Sequence, residues 1–264
     1  MKISIYIFLT LFALAVAACG PSDEEKASAR LRQAEASLER SDTLTALLLL
    51  DSIPGLFPKA EYAVNASRNL KKDIQFNLLH QKEAQLDTII LKITELEKPF
   101  SKEKTEFDRY AQYIHKRQNF ERAWDRSFIQ VHLNERGEIF LSSNYHGKDW
   151  LNHTALRVYD QGDDARTEVI PIDSPDNHRS DFIDAKWEKV RYRNGKENGV
   201  MEFIANNSKR NLKAVFQGKE YYYIILETYD KQAVIDALAL SGALMQKRKI
   251  ESEIQALRKE LNIT

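Results

Sequence analysis

A single cysteine among 264 residues excludes a disulfide within the chain, so stability outside the cytoplasm must come from packing. Glycine and proline are scarce, at nine and six, which argues against a disordered or low-complexity protein. Neither sign of charge prevails: 39 basic residues balance 39 acidic ones, and no field exists to gather nucleic acid. No apolar run is long enough for a membrane span. Ile3 to Ala18 falls short of the ~20 residues that cross ~30 Å of hydrocarbon, and Gly-Pro-Ser-Asp-Glu-Glu follows at once. Gly-x-Ser-x-Gly, a P-loop and Gly-x-Gly-x-x-Gly are all absent, so no catalytic residue and no cofactor is nominated.

What is present begins at the amino terminus. Met1-Lys2, an apolar segment of about 15 residues and the small residues Ala17-Ala18 read as a secretory signal. The sole cysteine, Cys19, follows directly, and Val16-Ala17-Ala18-Cys19 resembles the lipobox of bacterial lipoproteins. The resemblance implies that residues 1–18 are removed and that Cys19 carries a diacylglycerol and an acylated amino terminus. Each buried CH₂ contributes about 0.8 kcal/mol, so such acyl chains anchor permanently. The partner implied is the membrane itself, and the place is the cell envelope. The outer membrane is favoured, at its periplasmic face or the cell surface. Ser22-Asp23-Glu24-Glu25 has the form of a capping box and suits the positive end of a helix. The same acidic run resembles the export signal of Bacteroidota-type surface lipoproteins. Asp42-Thr43-Leu44, Asp51-Ser52-Ile53 and Asp87-Thr88-Ile89 resemble the Asp-(Ser/Thr)-aliphatic glycosylation acceptor of that group.

Ala29 to Arg40 is helical by spacing, and Leu44 to Ile53 forms a second helix stopped by Pro54-Gly55. The pair resembles one tetratricopeptide-like hairpin, with no second copy a period of about 34 residues later. Pro58 to Glu97 is the strongest periodic stretch, with Leu86, Ile89, Ile93, Leu96 and Phe100 making a seam. Lys98-Pro99 breaks it, and Lys102 to Trp124 resumes a helical spacing with Phe107, Tyr110 and Ile114. From Ser127 the period becomes two. Strands are expected at Ser127–Leu133, Ile139–Tyr145, Ala155–Tyr159, Glu168–Ile172, Lys186–Tyr192, Val200–Ala205, Leu212–Phe216 and Tyr221–Leu226, the last of them central. Thr228-Tyr229-Asp230 opens a final helix, with Val234, Leu238 and Met245 on one stripe. Ile250, Ile254, Leu257 and Leu261 continue it after a phase shift.

These elements predict an α+β fold with an amino-terminal helical hairpin, a long antiparallel coiled-coil stalk and an inserted antiparallel β-sandwich or barrel-like domain. The expected divisions are the signal peptide 1–18, lipidated cysteine and hairpin 19–57, long helices 58–125, β domain 126–228 and carboxy-terminal helix 229–264. The stalk's seams would serve either an intramolecular hairpin or a homo-oligomer.

The β segment holds His132, His146, His153 and His178, but none at metal-ligand spacing, so no metal site is expected. A better lead is His146-Gly147-Lys148-Asp149-Trp150-Leu151-Asn152-His153, which places a tryptophan in a polar setting. A tryptophan face can stack on a sugar ring, or cap a core instead. Alternation would set His132, Phe140 and His146 on an outer surface beside Trp150, with Asn152 and His153 reading hydroxyls. The first reading is a non-enzymatic binding or scaffolding lipoprotein with a protein partner or a glycan at its β domain. The alternatives are a surface glycan-binding accessory protein and a hydrolase without a recognisable motif.

Overall fold

A computed structural model describes residues 21–106, 108–118, 125–182 and 184–263. The chain divides into two units, one of Met1–Ala84 with Glu253–Thr264 and one of Gln85–Ser252.

The first unit is helical. Helix α1 (Asp23–Glu39) starts on a complete capping box: Glu25 donates its backbone N–H to Ser22 Oγ at 3.2 Å, and Ser22 donates its own to Glu25 Oε2 at 2.8 Å. Helix α2 (Thr43–Leu56) is capped by Asp42 and runs through Pro54, which lies in its last turn rather than stopping it. Together with the start of α3 (Glu61–Leu96), α1 and α2 bury a core that includes Leu31, Leu50, Ile53, Val64 and Ile74. A buried aliphatic side chain of this size contributes about 1.5–3 kcal/mol. The end of helix α5 (Thr228–Leu261) runs antiparallel to α3 in this unit. Lys82 Nζ lies 2.7 Å from Glu253 Oε2, Arg258 donates to Glu83 at 2.8 Å, and Gln75 bonds Glu260.

The second unit holds two antiparallel sheets. The larger has the order β1-β2-β3-β4-β8-β7, built from β1 (Phe100–Glu103), β2 (Gln112–His115), β3 (Phe128–Asn134), β4 (Ile139–Gly147), β7 (Asn177–Phe182) and β8 (Ala185–Tyr192). The smaller, β10-β9-β5-β6, comprises β5 (Ala155–Asp160), β6 (Asp163–Arg166), β9 (Lys213–Gln217) and β10 (Tyr221–Ile225). Helix α4 (Val200–Asn206) precedes β9. In β3, Ile129, Val131 and Leu133 are buried while Phe128, Gln130 and His132 are partly open, the alternation of a sheet covered on one side. The covered faces of the two sheets meet where Tyr145 of β4 and Tyr222 of β10 pack edge to face, 5.2 Å between centroids.

The expected coiled-coil stalk and barrel are both overturned. Neither sheet closes on itself: each ends in edge strands. Instead of continuing as a stalk, the first half of α5 is tied to the larger sheet. His115 pairs with Asp236 at 3.1 Å, Ser241 donates to the Gly137 carbonyl at 2.6 Å, and Arg248 donates to the Arg136 carbonyl at 3.1 Å. Gly137, at φ +80°, comes so close that a Cβ there would stand 2.9 Å from the Ser241 carbonyl. The buried apolar residues in this half include Ala233, Val234, Ala237, Leu240 and Leu244; Val234 of the expected stripe is among them, whereas Met245 is exposed. The phase shift near residue 245 thus marks a change of partner.

Four further expectations fail for local reasons. Phe100–Glu103 and Gln112–His115 form strands, not helix, and the second buries Tyr113 and His115 at a spacing of two. Trp124 and Phe107 of that expected helix lie outside the described residues. Val200–Ala205 is helical because its buried residues Val200, Met201 and Ile204 follow helical spacing behind a left-handed Gly199. Glu168–Ile172 forms no strand, and Tyr221–Ile225 is an edge strand with Tyr221, Tyr223 and Ile225 exposed, not a central one.

Candidate functional site

The larger sheet has two faces of opposite character. On the covered face, β4 contributes Ser143 and β8 contributes Glu188 and Tyr192. His153, in the segment before β5, enters between them. His153 Nδ1 stands 2.7 Å from Glu188 Oε2, and Nε2 stands 2.9 Å from Ser143 Oγ, which also lies 2.9 Å from Tyr192 Oη. Nucleophile, base and carboxylate at such distances have the layout of a hydrolytic triad. Burial decides against that use. Ser143 and His153 are 0% exposed and Glu188 is 1% exposed, so no substrate carbonyl reaches the hydroxyl. The set is a satisfied polar network inside the core. Burial pushes the Glu188 carboxyl up, but the His153 ring and the amides of His153 and Asn152 donate to it and bring it below its usual range.

The opposite face is where a ligand can reach the sheet. Two recesses open on it, of about 370 and 490 Å³, and Lys189 of β8 lines both. The first is bounded by Phe128, Gln130, Asn144, His178 and Trp187. The second is bounded by His132, Phe140, Arg191 and Arg193. Register explains the grouping: His132 pairs with Phe140, Ser142 with Arg191 and Asn144 with Lys189, so these side chains share one side. The His132 and Phe140 rings stack in parallel with centroids 4.5 Å apart, and Arg193 lies over Phe140 at 4.8 Å. Ser142 and Asn144 are buried on this side of β4, with Ser142 Oγ 2.9 Å from His132 Nε2, and Asn144 lines the first recess. Burial, with Lys189, Arg191 and Arg193 adding repulsion, holds the His132 imidazole well below its usual range, and hence neutral. Burial and the same two arginines push the Lys189 ammonium down to about 8.

The expected patch is not assembled as one surface. His132 joins Phe140, and His146 packs on Trp187 at 4.4 Å, both on the open face. Trp150 does not lie beside them. It sits against Lys186 and Arg179, whose strand positions alternate with those of Trp187 and His178 and so belong to the other side. Asn152, at φ +53°, accepts from Arg179 at 2.6 Å, and His153 is sealed in the core. The cations Lys189 and Arg191 of β8 and Arg193 just after it are not among the expected site residues, although Lys189-Val190-Arg191-Tyr192-Arg193 alternates cation with core residue as a half-buried strand does. Among the described residues no cluster of three His, Cys, Asp or Glu could hold a metal ion. Comparison with known proteins finds no matching family model, no similar curated protein and no similar solved structure.

Proposed function

We propose that this chain is a lipid-anchored, non-enzymatic binding protein of the cell envelope. Acylated Cys19 holds it at a membrane, and the open face of the six-stranded sheet meets its ligand. The two recesses joined at Lys189, on a face that the core does not use, carry this reading. The lipobox-like Val16-Ala17-Ala18-Cys19 supports the anchor, and no described helix is long and apolar enough to cross a membrane.

The glycan-binding alternative is favoured by a different surface. Tyr221 and Tyr223 project from edge strand β10 in register with Gln217 and Val215, and Lys213 lies 5.4 Å from the Tyr223 ring centre. Exposed tyrosines beside a cation suit stacking on a sugar.

Labelling cells with a palmitate analogue should tag the wild type and leave Cys19→Ser untagged; equal tagging would remove the anchor. A photo-crosslinking residue at Gln130 in the same cells should trap the ligand, and one at Tyr223 should not. A glycan trapped at position 223 and nothing at 130 would transfer the ligand face to the smaller sheet.

A further inference from the structure

We infer that the recess formed by Lys189, Arg191 and Arg193 binds its ligand through an oxyanion, that is, a carboxylate, phosphate or sulfate. This deepens the binding-protein reading and rests on it.

Two of the three cations here carry charge without a paired counter-charge. Arg193 keeps Asp176 at 3.4 Å, but neither Lys189 nor Arg191 has an ion-pair partner among the described residues. The two acids that line the recess form no ion pair with its three cations among the described residues. Asp108 accepts from the Thr105 hydroxyl at 2.7 Å, and Glu138 accepts from Asn134 at 2.8 Å while facing Arg136 at 3.4 Å. Around Lys189 the remaining titratable and charged groups are His132 from β3, His178 from β7, Arg109 beside β2 and Glu188 of β8, whose carboxylate is held on the covered side by the His153 ring at 2.7 Å and by the His153 and Asn152 amides. A cation taken partly out of water among other cations is costly unless an anion joins it. The neutral His132 bears on one side of the recess, and Asn194 adds an amide to its lining. Arginine guanidinium groups grip such oxygens in pairs, and the lysine supplies a point charge. Arg193 already covers the Phe140 face, so the recess selects for the anionic group rather than for a stacked ring.

The test uses the full chain in detergent, titrated by calorimetry with inorganic phosphate, with galacturonate and, as a neutral control, with galactose. Both acids should bind at pH 7 and galactose should not. Preference for one acid identifies whether a phosphate or a carboxylate is the natural group. Lys189→Met should weaken binding at least tenfold. Raising the pH from 7 to 9 should weaken it roughly tenfold, because the ammonium titrates near 8. The variant should also melt no lower than the wild type, since an uncompensated cation is removed. Unchanged anion affinity in Lys189→Met, or a lowered melting temperature showing that the fold itself pairs this lysine, would overturn the inference. Failure of both acids to bind while Gln130 still traps a ligand would end the oxyanion assignment and leave the ligand face standing. Loss of both signals would end both.

Discussion

Replacing Glu188 with alanine is expected to remove about 3–5 kcal/mol of stability, the effect of breaking a buried ionic or charge-assisted contact from one side. Its carboxylate accepts from the Asn152 amide at 2.7 Å, the His153 amide at 2.9 Å and the His153 ring at 2.7 Å. All three donors would be left without an acceptor in a core that water does not enter. Glu188→Gln keeps the shape but not the charge, and about half that loss is expected. The carboxyl is held below its usual range in the folded chain, so its contribution is complete above the unfolded value of about 4.3. It disappears as pH falls through the lower, folded value. Urea unfolding of wild type and Glu188→Gln between pH 7 and 3 should show the two curves converging in acid. Curves that stay parallel throughout would mean that the carboxylate is not the seat of the effect.

A second large loss is expected from Gly218→Ala. A Cβ at this position would meet the Leu151 carbonyl oxygen at 2.1 Å and the Asn152 carbonyl carbon at 3.0 Å. These are backbone atoms, so no rotamer change relieves the overlap, and only glycine permits the approach. The segment that would be displaced is the one whose amides hold Glu188, and Lys219 donates to the same Leu151 carbonyl at 3.1 Å. Moving it should uncouple the turn before β10 from the polar network, at a cost of about 3 kcal/mol. Thermal unfolding would measure the loss, and near-ultraviolet circular dichroism of the Tyr145, Tyr222 and Phe216 cluster should weaken with it. An alanine variant as stable as wild type would show that the turn and the loop can separate freely.

Both predictions concern contacts between residues far apart in sequence, and such contacts mark where legibility ended. The capping box was readable because Ser22 and Glu25 satisfy each other within one turn and need nothing else. The alternation of Ile129, Val131 and Leu133 was readable because a one-sided sheet imposes a period of two wherever it lies. The open-face position of His132, Phe140 and His146 followed from the same rule. Trp150 escaped it, since it lies in a loop where alternation has no force. For His153 the composition of its own segment was silent, because the residue that buries it is Glu188.

By itself, then, the sequence determined the local grammar of helix starts and strand faces. It also supplied Cys19 and the residues before it, on which the proposed anchor depends. The tertiary structure alone decided which strand is an edge, and which partner each half of α5 takes. It also decided that the Ser143–His153–Glu188 set is closed to solvent while Lys189 lines an open recess. The physical reason is that periodicity states which side of an element is apolar, whereas burial is a property of two surfaces. A side chain's solvent access, and with it the choice between a core hydrogen bond and a ligand contact, exists only once the second surface has arrived.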